Sequence, residues 1–151
     1  PLYEQLELLK KNKVAVVCGI LSGTLASLTG IFVLCMLFGF NHQQYVTMLP
    51  KSITTAIGIG ISEELGGIVT ITVAVIIITG ILGNVIADTV FHIFKIKNPL
   101  AKGLALGTAS HAIGTARAIE MGPVEGAMSS LAVAVAGLLT VVFVSGFAQL
   151  I

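Results

Sequence analysis

Two short polar clusters in an otherwise apolar chain have the makings of a binding site. The first is Lys51, Ser52, Thr54 and Thr55, and the second is Thr108, Ser110, His111 and Arg117. Hydroxyls donate hydrogen bonds and an arginine grips a carboxylate with two parallel ones, so cations framed by hydroxyls suit a small organic anion. Each cluster precedes a helical stretch, starting near Ala56 and Ala112. The N-termini of those stretches would present unpaired N–H groups and about half a positive charge to the same solute. Every residue also has a structural alternative. Arg117 either counters the anion or pairs with Glu120 or Glu125 to close a turn, and Lys51, following Pro50, either does the same or snorkels to the interface. His111 offers a proton-coupling group or a hydrogen-bonded packing residue. Glu64 and Glu120, each two residues before a glycine, either couple protons or stabilise turns. The serines and threonines can also bond the preceding helical turn.

The surrounding composition identifies the solvent. The chain is 56% hydrophobic and 10% charged, where about a quarter of a soluble domain is charged, and its mean hydropathy is +1.04. It reads as an integral membrane protein, multi-pass and all-α. A net charge of +1 without a basic, aromatic-interleaved patch gives no sign of nucleic acid. No metal-ligand spacing, P-loop or Gly-x-Ser-x-Gly sequence is present, so no metal, cofactor or enzymatic activity is expected. Cys18 and Cys35 would lie about 25 Å apart along one helix, beyond disulfide reach, and both read as small buried hydrophobes.

Residues 1–13 are amphipathic, with Leu2, Leu6 and Leu9 among Glu4, Glu7, Lys10, Lys11 and Lys13, and the basic cluster marks the inside face. Residues 14–40 carry no charge and suffice for a spanning helix, with a Gly19-x-x-x-Gly23 packing face. Residues 41–45 read as a polar outside loop. Residues 46–67 are interrupted by Pro50 and hold Lys51 at mid-length. Irregular backbone at membrane depth is tolerated only where it is buried or lines a cavity. This is therefore expected to be a broken or re-entrant element that ends in a Gly66-Gly67 turn. A second span covers residues 68–94, with Asn84, Asp88 and His92 four apart on one face. They form either a proton or cation relay or the helix's emergence into the headgroups, and Lys95, Lys97 and Lys102 put that end inside. Residues 102–122 are built from Gly, Ala, Ser and Thr around His111, Arg117 and Glu120, so they belong inside the bundle. Residues 126–151 form a third charge-free span.

Sliding the chain by 56 positions sets Ile57-Gly58 on Ile113-Gly114, Glu64 on Glu120 and Gly66 on Gly122. The repeat units, 46–94 and 102–151, each run from a small, polar broken element through a Glu-x-Gly turn to a long apolar helix. With lysines inside, the broken elements are hairpins entering from opposite faces, giving an inverted repeat with its solute site at the breaks. Full crossing would make the units parallel and would put Lys95, Lys97 and Lys102 outside.

The stretches MLPKSITTAIGIGISEELGGI and GLALGTASHAIGTARAIEMGPVEGAMSSL, with PLYEQLELLKKN and NPLAKG, resemble the LrgB/CidB family of bacterial membrane proteins over essentially all 151 residues. The resemblance implies a bacterial cell (inner) membrane location. It also implies further N-terminal helices before Pro1, which agrees with a chain that opens without methionine or signal peptide. Two functions follow from it. One is carriage of small carboxylates, of the pyruvate, glycolate or glycerate class, by alternating access. The alternative is an antiholin-like role in murein hydrolase activity and autolysis beside a holin-like LrgA/CidA partner, with glycine-rich faces serving homo-oligomerisation.

Overall fold

The computed structural model describes residues 3–151; Pro1 and Leu2, part of the amphipathic stretch expected at the N-terminus, lie outside the described residues. A 3-10 turn (Tyr3–Gln5) and α1 (Leu6–Lys11) lead into α2 (Lys13–Leu37). There follow α3 (His42–Met48), α4 (Thr55–Glu64), α5 (Val69–Ile93), α6 (Pro99–Met121) and α7 (Pro123–Ala148). The three helices α2, α5 and α7, of 25, 25 and 26 residues, are long and apolar enough to cross a membrane. At 1.5 Å per residue each exceeds the roughly 30 Å hydrocarbon layer. Their outward side chains, such as Leu37, Val85 and Val142, are at least 70% exposed, which suits contact with lipid. The protein is an all-α membrane protein.

The first broken element is a hairpin. Asn41 caps α3: its side chain accepts from the Gln44 N–H at 2.9 Å, while its own N–H donates to the Gln44 side chain at 3.0 Å. This capping box starts a helix at His42, so most of the stretch expected to be loop, residues 42–45, is helical instead. The helix ends at Met48, Pro50 cannot continue it for want of an N–H, and α4 returns after an irregular link. Gln43 donates to the Gly66 carbonyl at 3.3 Å and the Ile68 N–H donates to the Thr47 hydroxyl at 2.8 Å. The end of α4 therefore lies beside the start of α3.

The second broken element, α6, folds back on itself at His111, whose backbone sits at φ 42, ψ −139. Packing on α7 shows the reversal. Gly103 of the first arm packs against Glu125 and Met128, and Ile119 of the second packs against Gly126. One turn deeper, Gly107 lies against Ser129 and Ala132, and the Thr115 hydroxyl is 2.8 Å from that of Ser129. Residues equidistant from His111 thus reach the same level of α7, as antiparallel arms must.

The hairpins open toward opposite ends. Tyr45 Oη donates to the Phe147 carbonyl at 2.8 Å and His42 Nδ1 to the Ile151 carbonyl at 2.7 Å, so the first opens where α7 ends. Met121 packs with Phe91 and Ile96, so the second opens where α5 ends. Both tips come to the middle of α5, where Gly58 faces the Ile76 side chain and His111 Nε2 donates to the Ile76 carbonyl at 2.9 Å. Of the two cysteines only Cys35 is buried; Cys18 is exposed on the apolar outer face of α2 beside Val14 and Val17.

Close approach of α6 to α7 requires the absence of a side chain at Gly107, where an added Cβ would sit 2.6 Å from Ala132 Cβ and closer still to the Ser129 carbonyl oxygen. Gly107→Ala is expected to cost about 1–3 kcal/mol through overpacking. Gly30→Ala, with nothing within 4 Å, gains up to about 1 kcal/mol of helix propensity. Thermal unfolding in detergent checks the pair; equal midpoints would refute the tight contact.

Candidate functional site

The two glycines of α2 bring it against the first arm of α6. A Cβ on Gly23 would lie 2.7 Å from Thr108 Oγ1, and one on Gly19 would lie 3.0 Å from Leu104 Cδ1. The Gly19-x-x-x-Gly23 face thus makes a contact within this chain. Where these helices and the tip of the first hairpin diverge there is a cavity of about 760 Å³, walled by small residues such as Ala26 and Ala105 and reached by Ser27, Lys51, Ser52 and Thr108.

Ser52 lies at the centre of its hydrogen bonding. Its hydroxyl oxygen accepts from Lys51 Nζ at 2.7 Å and from Ser27 Oγ at 3.0 Å, which leaves its own hydrogen to donate. Thr108 donates within its helix, to the Leu104 carbonyl at 2.8 Å, and keeps its lone pairs as acceptors. Next to Ser27, Ser52 and Thr108 lies Thr24, whose hydroxyl is the one buried side-chain polar atom among the described residues without a hydrogen-bond partner. Lys51 is half-buried, and among the described residues no carboxylate lies within ion-pair distance of it. Thr54 is the N-cap residue of α4 and Thr55 its first residue; neither lines the cavity, and the helix start has no side-chain cap.

The remaining candidates face α5. Ser110 packs on Gly83, and His111 packs on Gly80 while bonding the Ile76 carbonyl. Since a carbonyl only accepts, the Nε2 of His111 carries a proton. Arg117 is not at the tips: it lies down the returning arm, where its guanidinium bonds Asp88 of α5 and, at 2.6 Å, Glu120, with Glu125 not involved. Asn84 donates to the Ile113 carbonyl at 3.0 Å. Asn84 and Asp88 therefore fasten the second hairpin to α5, while His92 lies farther along the same helix. Glu64 is exposed at the end of α4.

The cavity thus gathers Lys51, Ser52 and Thr108 from the expected set and adds Ser27, with Thr24 buried behind them. The only sequence signal of Thr24 and Ser27 is two hydroxyls three residues apart in a span without charge, directly after Gly23.

A profile of the LrgB-like family matches residues 1–150. The chain belongs to that family. Among its relatives, Antiholin-like protein LrgB of Bacillus subtilis (strain 168) is 40% identical over 151 residues, which is 100% of this chain and 65% of the relative. The protein of the same name from Bacillus cereus (strain B4264) is 42% identical over 147 residues, covering 97% of this chain and 64% of the relative. The chain thus spans about 65% of the length of such LrgB-like proteins. No solved structure matches it.

The positive φ of His111 predicts an ordering of variants. Glycine adopts that backbone freely and alanine does not, so His111→Gly should be less destabilising than His111→Ala by about 1–3 kcal/mol, although both lose the bond to Ile76. Thermal unfolding of the two variants reads the difference, and the reverse order would refute strain at the tip.

Proposed function

We propose that this chain forms the solute-binding core of a bacterial inner-membrane carrier of small carboxylates, with Lys51 as the counter-charge. The single observation that carries the reading is the position of Lys51, at a hairpin tip level with the middle of α2, without a carboxylate partner and beside a cavity lined by hydroxyls. A lysine at the centre of a bilayer costs about 2.5–3.5 kcal/mol even on insertion scales. The Ser52 hydroxyl answers one of its three N–H donors. A carboxylate in the cavity would neutralise the ammonium and accept from Lys51 and Ser52, while a 2-hydroxyl on the solute could donate to Thr108. Arg117 is assigned the task of holding the second hairpin to α5, and Ser110 and His111 that of seating its tip. Two hairpins from opposite faces supply the gates that alternating access requires.

The names of the relatives favour a second reading more directly than they favour transport: an antiholin-like regulator, acting beside a holin-like partner.

Uptake of labelled pyruvate and glycolate into proteoliposomes, under an imposed proton gradient, distinguishes them. The carrier reading expects saturable, competable uptake that Lys51→Gln abolishes and Lys51→Arg partly retains. Undiminished uptake in Lys51→Gln would remove Lys51 from the site. If a panel of small acids gives no uptake with or without the holin-like partner, and Lys51→Gln leaves lysis phenotypes intact, the regulatory reading stands instead.

A further inference from the structure

A second recess lies apart from the first. Between the end of α5 and the start of α6 is a cavity of about 550 Å³, lined by Phe91, His92, Lys95, Lys97 and Lys102, with Asp88 at its edge. Asp88 shares Arg117 with Glu120, so one negative charge remains in that cluster and the three ammonium groups of the recess outweigh it. Lys102 is held over the Phe91 ring, 5.8 Å from its centroid, at the wall of the recess.

The backbone at Lys95 is an independent sign that its side chain matters there. The helices α2, α4 and α5 end in one pattern of paired hydrogen bonds. In α2 the bonds run from Phe40 N to Cys35 O (2.9 Å) and from Gly39 N to Met36 O (3.3 Å). In α4 they run from Gly67 N to Ser62 O (2.7 Å) and from Gly66 N to Glu63 O (3.3 Å). In α5 they run from Ile96 N to Phe91 O (2.8 Å) and from Lys95 N to His92 O (3.2 Å). The pattern needs a left-handed residue, and two of the three helices use glycine, Gly39 at φ 65 and Gly66 at φ 74. The third uses Lys95 at φ 54, a conformation unfavourable to a side chain. Strain of this kind persists where the side chain has a use.

We propose that this recess binds the phosphate headgroup of an anionic lipid, with Lys95, Lys97 and Lys102 as its ligands. Ile93 and Phe94, 65% and 72% exposed, stand beside it to meet the acyl chains, which a soluble phosphate would not require. Lys10, Lys11 and Lys13 share this end of the fold, since Asn98 and Ala15 line one cavity. The positive-inside rule then sets the recess against the cytoplasmic leaflet, where anionic lipids attract juxtamembrane lysines.

The test titrates phosphatidylglycerol into the purified protein held in neutral phosphatidylcholine nanodiscs and follows the rise in Tm. The wild type should be stabilised saturably. Lys95→Gly should unfold no earlier than the wild type in neutral lipid, because glycine fits the backbone, yet bind phosphatidylglycerol roughly fivefold more weakly; Lys97→Gln should show the same weakening. Lys11→Gln, which removes an equal charge from the exposed surface of α1, should bind as the wild type does. Equal weakening in Lys11→Gln, or none in both recess variants, would overturn the site. An equal Tm rise with inorganic phosphate in neutral lipid would overturn the lipid as its source.

Discussion

The hydrocarbon interior offers no water, so a chain that breaks its helices there must satisfy the broken backbone and its charges with its own atoms. That constraint organises the whole molecule. The three long helices meet lipid with apolar side chains, and α2 and α5 receive α6 against their glycines while α6 meets α7 through its own. The bond from His111 to the Ile76 carbonyl, the bond from Asn84 to the Ile113 carbonyl and the paired bonds at Gly66-Gly67 each supply partners inside the protein where bulk water would otherwise be needed.

The cations of the two hairpins are placed differently, Lys51 at a tip and Arg117 on a partly exposed arm. Arg117 is paired twice, with Asp88 and Glu120, which makes it part of the scaffold that joins α6 to α5. Lys51 has a serine for a neighbour and a cavity beside it. A charge already balanced by the protein has little to offer a solute, whereas one balanced only by a hydroxyl does. The proposed role of Lys51 rests on that contrast rather than on residue type, for by type alone arginine is the better carboxylate ligand.

Much of this architecture was legible in the amino-acid order. The three long apolar runs are the three spanning helices, and the runs broken by Pro50 and crowded with small residues around His111 are the hairpins, because hydropathy and small-residue content act locally. The partners of Arg117 were less legible. Glu120 lies three residues away on one arm and was an obvious candidate, but Asp88 is 29 positions distant and becomes a neighbour only through the fold. Thr24 and Ser27 look like ordinary hydroxyls of a membrane helix until the tip of the first hairpin arrives beside them. The early start of α3 was written locally, in the Asn41 and Gln44 pair, but its polar residues resemble those of a loop.

Ile76 touches both hairpins at once, through its side chain toward Gly58 and through its carbonyl toward His111. One residue therefore acts as the shared stop of two elements that enter from opposite sides of the membrane. The side chain of that residue seats one tip and its backbone the other, so a single position on α5 fixes the depth of both.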